Sequence, residues 1–183
     1  MAPLRRICLA GVRGVGKTTL VKSVLPELEG FEHIVGSAVL RELAGAEFAR
    51  FDHLAPARKQ GYREEAILWM ERHQDATRQH VLCDGHTSLL DESTGAVGVV
   101  FTESDCRFFR ELILLEAPLE VVLARRRADP SKPRSLDPEV VRAEMDGELE
   151  SCVQIAEQWG MRLHRLPTEP DDARVNLLEV LAS

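Results

Sequence analysis

A three-layer α/β/α fold around a parallel five-stranded sheet is what the sequence predicts. Two observations carry that expectation. Short apolar runs alternate along the chain with longer segments of helical period, and the first run leads directly into a glycine-rich turn that opens a helix. Strands written as continuous apolar runs are buried on both faces, so helices must cover the sheet above and below. Right-handed crossovers then gather the loops at the strands' C-terminal ends along one edge, where ligands bind in open α/β sheets.

Taken in order, the strands are Ile7 to Ala10, His33 to Val35, His80 to Cys83 and Leu112 to Leu115, with Met161 to Leu166 a more mixed fifth. Thr18 to Leu28 sets Leu20, Val21, Val24, Leu25 and Leu28 on one side of a helix. Ala57 to Arg78 holds an apolar patch, Ala66 to Met70, between charged flanks. The best-marked helix is Pro138 to Trp159. Val141, Met145, Leu149, Cys152, Ala156 and Trp159 recur there at steps of three or four, Pro138 suits the first turn and Gly160 the C-cap. Asp171 and Asp172 are expected to cap a last helix ending at Leu181. There is no internal repeat and no low-complexity segment.

At 183 residues the chain fits a single domain, residues 1–183, and a chain of that size buries roughly 70% of its unfolded surface. Apolar residues make up 44% and charged residues 29%, which excludes a disordered or membrane class. A net charge of −7 and a pI near 5.4 argue against nucleic acid or an anionic membrane as partner. Cys8, Cys83, Cys106 and Cys152 form no C-x-x-C pair. They read as small buried thiols, ahead of metal or disulfide use, and fit a reducing cytoplasm. The apolar stretch ICLAGV after Arg5 and Arg6 is too short for a signal peptide, and no run spans a bilayer. The expected location is cytoplasmic, as a monomer or homodimer.

The turn itself, Gly11-Val-Arg-Gly14-Val15-Gly16-Lys17-Thr18, satisfies G-x-x-x-x-G-K-[ST] with a strand before it and a helix after it. Gly11, Gly14 and Gly16 let successive backbone N–H groups, Val15 included, point at phosphate oxygens, beside the positive end of the following helix. The motif predicts that Lys17 bridges the β- and γ-phosphates of ATP and that Thr18 coordinates Mg²⁺, with Thr19 near the α-phosphate. Lys17 stands out further because the chain holds only four lysines, Lys17, Lys22, Lys59 and Lys132, among its 23 basic residues.

With that loop in place the sequence resembles the archaeal-type adenylate kinases and related small nucleoside monophosphate kinases. GVRGVGKTT is similar to their loop, with Arg13 where proline is usual. Gly36-Ser37 followed by VLRELAGAEFARF, Asp84-Gly85-His86 after the third strand, and LLEA followed by LEVVLARRRAD match further landmarks. The resemblance implies an acceptor-binding helical insertion at about residues 36–79 and a short lid at about 125–138. It also implies that Lys132 and Arg134 are lid cations. Two departures weigh against AMP itself as acceptor: Asp52-His-Leu is followed by Ala55 rather than arginine, and the helix from Pro138 has no arginine after Arg142, where Glu148, Leu149 and Glu150 stand instead.

Each site residue has two readings. Asp84, at a strand end, holds a Mg²⁺-bound water or caps a turn before Gly85. His86 orients the acceptor or hydrogen-bonds within its loop, and Ser37 contacts the acceptor or N-caps a helix. Arg125, Arg126, Arg127, Lys132 and Arg134 close on the γ-phosphate, with Arg126 and Arg134 the chosen catalytic pair, or they form a solvated helix end. Arg41, Arg58 and Arg63 grip the acceptor's phosphate or decorate a charged helix face. Pro167-Thr168-Glu169 covers the adenine or is a plain turn. The expected function is ATP·Mg-dependent transfer of the γ-phosphate to a small acceptor, a nucleoside monophosphate first. A small-metabolite kinase of the same fold, or a nucleotide switch that transfers nothing, is the alternative.

Overall fold

In a computed structural model, the structure describes residues 3–91, 94–129, 134–168 and 172–183. Strand β1 (Arg6–Ala10) runs into helix α1 (Lys17–Val24), then β2 (Phe31–Val35), α2 (Gly36–Ala44), a 3-10 stretch (Gly45–His53), α3 (Pro56–Thr77) and β3 (His80–Asp84). There follow β4 (Ser88–Leu90), β5 (Val97–Val99), α4 (Glu103–Phe108), β6 (Glu111–Glu116), α5 (Leu119–Ala128), α6 (Pro138–Trp159), β7 (Arg162–Pro167) and α7 (Ala173–Ala182).

Five strands form the predicted sheet in the order β2-β3-β1-β6-β7. Every pairing is parallel: Cys8 lies beside Cys83 and Leu112, Ile34 beside Cys83, and Leu112 beside Leu163. Because side chains alternate across a strand, the sheet divides the core in two. On one face Cys8, Ala10, Cys83, Leu112 and Leu114 pack with Ile67 and Met70 of α3 and Cys152 and Ile155 of α6. On the other, Ile7, Leu9, Leu82, Ile113 and Leu115 pack with Val21 and Val24 of α1 and Leu177 of α7. Strand order reverses its chain direction on either side of β1. The loop after β1 therefore lies at the crevice where the topology switches, which is the ligand position in this architecture.

The expected strands and helices are all present, with local differences. The first helix ends at Val24, and Leu25–Glu27 continue as a 3-10 turn with Pro26 inside it. α6 has Pro138 in its first turn and Gly160 closing it at φ 62°, as expected, and gains an N-cap in Asp137, whose carboxylate accepts from the Glu139 N–H at 2.9 Å. Its buried stripe departs from the apolar pattern, however. Glu148 and Ser151 are buried while Trp159, the last residue of the helix, is 38% exposed. Asp172 precedes α7 but makes no side-chain capping bond, since its own backbone is already helical; Asp171 lies outside the described residues. The hairpin β4–β5, paired antiparallel with Leu90 beside Val97, and the short α4 were not anticipated. α4 starts on a capping box in which Thr102 and Asp105 each bond the other's backbone N–H, at 2.7 and 3.2 Å. All four cysteines are free and buried. Among the described residues no helix is long and apolar enough to cross a membrane.

Candidate active site

Between β1 and α1 the chain doubles back through residues 11–16. Gly14 and Gly16 hold φ 91° and 107°, a region that side chains resist. Gly14 is also constrained from outside: a Cβ there would stand 3.0 Å from Cγ of Arg126 and 3.6 Å from Nη1 of Arg134. α1 opens on Gly16 with no side-chain cap and no acidic residue in its first turn. Its unpaired N–H groups and positive end are thus left for an anion.

Lys17 is 7% exposed. Its ammonium donates to the Gly11 carbonyl at 2.5 Å and lies 4.0 Å from Oδ1 of Asp84. Burial lowers its pKa and the charge of Arg134 adds to that, while Asp84 and Glu148 oppose it. An ammonium with a single carbonyl partner keeps donors for phosphate oxygens, so the loop fits a polyphosphate. Thr18 Oγ1 donates to Oδ2 of Asp84 at 2.5 Å. The hydroxyl and the carboxylate assigned to Mg²⁺ are therefore side by side. Among the described residues no three His, Cys, Asp or Glu side chains converge, so a magnesium ion here needs phosphate oxygens to complete its shell. Val15 is buried and turns its N–H to the Val12 carbonyl at 3.1 Å, serving the loop's shape; Thr19 is exposed on α1.

The last turn of α5 grips this loop from the side. Arg125 donates to the Val15 carbonyl and to Oγ1 of Thr168 at 3.2 Å. Arg126, 4% exposed, donates from Nε to the Arg13 carbonyl at 2.9 Å and from Nη1 to the Ser135 carbonyl at 3.0 Å, and pairs with Glu144 at 2.8 Å. Among the described residues its Nη2 is buried without a hydrogen-bond partner. Arg134 faces the same loop, while Arg127 is exposed. Lys132 and Glu169 lie outside the described residues. Thr168 is buried, bonded by Arg125 and by its own N–H to the Glu116 carbonyl at 2.7 Å.

The residue that sequence reasoning missed is Glu148, 1% exposed. One carboxylate oxygen accepts from the N–H of Gly11 at 3.1 Å and of Thr87 at 3.0 Å; the other accepts from the N–H and hydroxyl of Ser88 at 2.7 and 2.8 Å. It thereby ties the phosphate loop to the segment entering β4. The missing arginine in α6 drew attention to this neighbourhood, but nothing local distinguishes a buried helical glutamate from an exposed one. His86 Nδ1 stands 3.9 Å from the same carboxylate. Burial, then Lys17 and Arg13, hold its pKa well below the usual histidine value, so it is a neutral imidazole. Val12, Arg13, His86, Ser88, Leu89, Leu90, Val97 and Glu144 together line a small cleft beside the loop.

The acceptor residues expected in 36–79 are elsewhere engaged. Arg41 lies over the Phe48 ring at 4.8 Å, and Arg58 bonds Glu47 at 3.2 Å and the Tyr62 hydroxyl at 2.8 Å. Arg63 lies 5.9 Å from the centre of the Phe51 ring. Ser37 is exposed in the first turn of α2, whose N-cap is Val35 with no side-chain bond, so the capping reading of Ser37 is not realised. Among the described residues, the ring contacts and hydrogen bonds of Arg41, Arg58 and Arg63 stay within residues 41–63.

A parallel sheet of this order, with a glycine-rich loop and buried lysine at the switch point, defines the class: a P-loop kinase fold. The chain belongs to the family described as AAA domain, which matches residues 10–141. Among solved structures it is similar to a sugar kinase from Janibacter sp. HTCC2649, with a TM-score of 0.62 and 18% identity over 98% of this chain and 95% of that one. A shikimate kinase from Acinetobacter baumannii in complex with shikimate matches with a TM-score of 0.60 and 18% identity, over 97% of this chain and 91% of that one. A gluconokinase from Sinorhizobium meliloti 1021 matches with a TM-score of 0.58 and 14% identity, over 97% and 91%. At these identities the likeness is one of fold. No curated protein matches the chain.

Proposed function

We propose that this chain is an ATP·Mg-dependent kinase that phosphorylates a hydroxyl of a small metabolite. The observation that carries the reading is the buried Lys17, held over a phosphate-loop turn with Thr18 and Asp84 paired beside it. The kinases named above as sugar kinase, shikimate kinase and gluconokinase support a metabolite over a nucleotide. So does the engagement of Arg41 and Arg58 within the insertion, away from the loop. The adenylate-kinase-like acceptor expected from the sequence thus gives way to the alternative stated with it.

ATP·Mg²⁺ supplies the phosphoryl group and the divalent charge. Lys17 and the N–H groups at the start of α1 hold the phosphates, Thr18 and Asp84 hold the metal, and Arg126 Nη2 and Arg134 supply positive charge where the transferred oxygens lie. Such an arginine is worth roughly 10³–10⁵ in rate. His86, uncharged, hydrogen-bonds the acceptor without repelling the cations around it. Residues 36–79 border the acceptor, and the last turn of α5 with Arg134 stands over the phosphates and keeps water from them.

Lys17→Ala should abolish ADP release in the presence of the preferred acceptor while circular dichroism and the thermal midpoint stay those of a folded protein. Wild-type rates from purified Lys17→Ala would refute the proposal.

A further inference from the structure

The hairpin β4–β5 supplies half of the cleft wall, through Ser88, Leu89, Leu90 and Val97, opposite Val12 and Arg13 of the phosphate loop. A two-stranded ribbon is marginal by itself in water, so something must fix its distance from that loop. The ribbon rests on α6 at two neighbouring residues. Glu148 takes the Ser88 N–H and hydroxyl. At Gly147 there is no side chain, and a Cβ there would stand 2.5 Å from Cγ1 of Val97, 3.2 Å from its Cβ and 3.8 Å from Oγ of Ser88.

A glycine in the middle of a long helix costs about 1 kcal/mol against alanine. Gly147 needs no left-handed backbone, since its φ is not among the positive ones. Space is therefore the reason for glycine here. Valine is stiff at χ1, so the methyl at 2.5 Å does not turn away freely, and an added methyl at residue 147 displaces the Val97 side chain and the strand that carries it.

We infer that the β4–β5 hairpin gauges the size of the acceptor and that Gly147 is the specificity-determining position, its absent side chain setting how closely the hairpin stands to the phosphate loop. The inference rests on the kinase reading for what fills the cleft, but not for the packing that shapes it.

The test is Gly147→Ala, assayed with shikimate, gluconate and AMP as acceptor probes and by amide hydrogen exchange. For the probe that wild type uses best, KM should rise at least about fivefold while KM for ATP stays within twofold, because one methylene of misfit in a pocket discriminates by about tenfold or more. The kcat/KM advantage of that probe over AMP, the bulkiest, should shrink. The amides of β4 and β5 should exchange faster, with those of β1 and β6 unchanged. Adding Val97→Ala to Gly147→Ala removes the clashing methyls and should return the exchange of β4 and β5 to the wild-type pattern, which a general loss of stability would not allow. If Gly147→Ala fails to fold, Val97→Ile, which adds a methylene to the same contact from the hairpin side, takes its place with the same expectations. Unchanged acceptor KM and exchange, or no rescue by Val97→Ala, overturns the inference. Should wild type phosphorylate none of the probes, that counts against the kinase reading, and the exchange data alone decide the hairpin.

Discussion

Glu148 has no access to water and meets that condition by accepting hydrogen bonds from Gly11, Thr87 and Ser88, all within 3.1 Å. Removing the carboxylate strands three backbone N–H groups in a dry site, and each costs roughly 1–3 kcal/mol. Glu148→Ala should therefore lose about 3–5 kcal/mol in urea unfolding, and Glu148→Gln, which keeps one acceptor oxygen in place, distinctly less. His86 carries the complementary prediction. Burial first, then Lys17 and Arg13, depress its pKa, and burial acts first in the same direction on His33, His80 and His164. These groups bind protons less readily in the fold than in the unfolded chain, whose histidine pKa is about 6.5. The unfolded state then binds more protons, so stability is lost as pH falls from 6.5 toward the depressed values. The urea midpoint should drop between pH 7 and pH 5.5, and His86→Asn should flatten that drop; an unaltered slope in the variant would show His86 to be charged in the fold.

Helices α5 and α6 bring Arg126 and the loop together through its pair with Glu144, the two side chains being 1% and 12% exposed. Glu144→Ala leaves a guanidinium uncompensated, which costs about 3 kcal/mol or more. The same change should lower kcat, because Arg126 then loses one of the contacts that aim its free Nη2; thermal unfolding and turnover of one preparation check both effects. The long elements were legible in advance because their signals are local. Pro138 marks a first turn, Gly160 a C-cap, and the phosphate loop is eight consecutive residues. The hairpin was not legible, since three-residue strands are too short to show a period. Nor was Glu148, whose partners lie 60, 61 and 137 residues away in sequence. Arg126 was expected as a cation near phosphate from its place in the basic cluster, whereas its grip on the Arg13 carbonyl, 113 residues distant, is a product of the fold.

At the scale of the whole molecule, the sheet places β1 between partners far along the chain: Arg6 beside Val81 and Ile7 beside Glu111. The site at its C-terminal end therefore persists only while the entire sheet is closed. Four thiols sit inside that closed structure, with Cys8 and Cys83 facing each other on adjacent strands. Burial pushes every one of them up, Cys106 to about 11 and Cys152 to about 12. A protonated, enclosed thiol does not react, so a maleimide should modify none of the four on the timescale of a surface cysteine, and saturating ATP·Mg should slow modification further. Each alkylation event then records one excursion in which the molecule came apart, and mass spectrometry of the labelled chain would count those excursions residue by residue without any engineered probe.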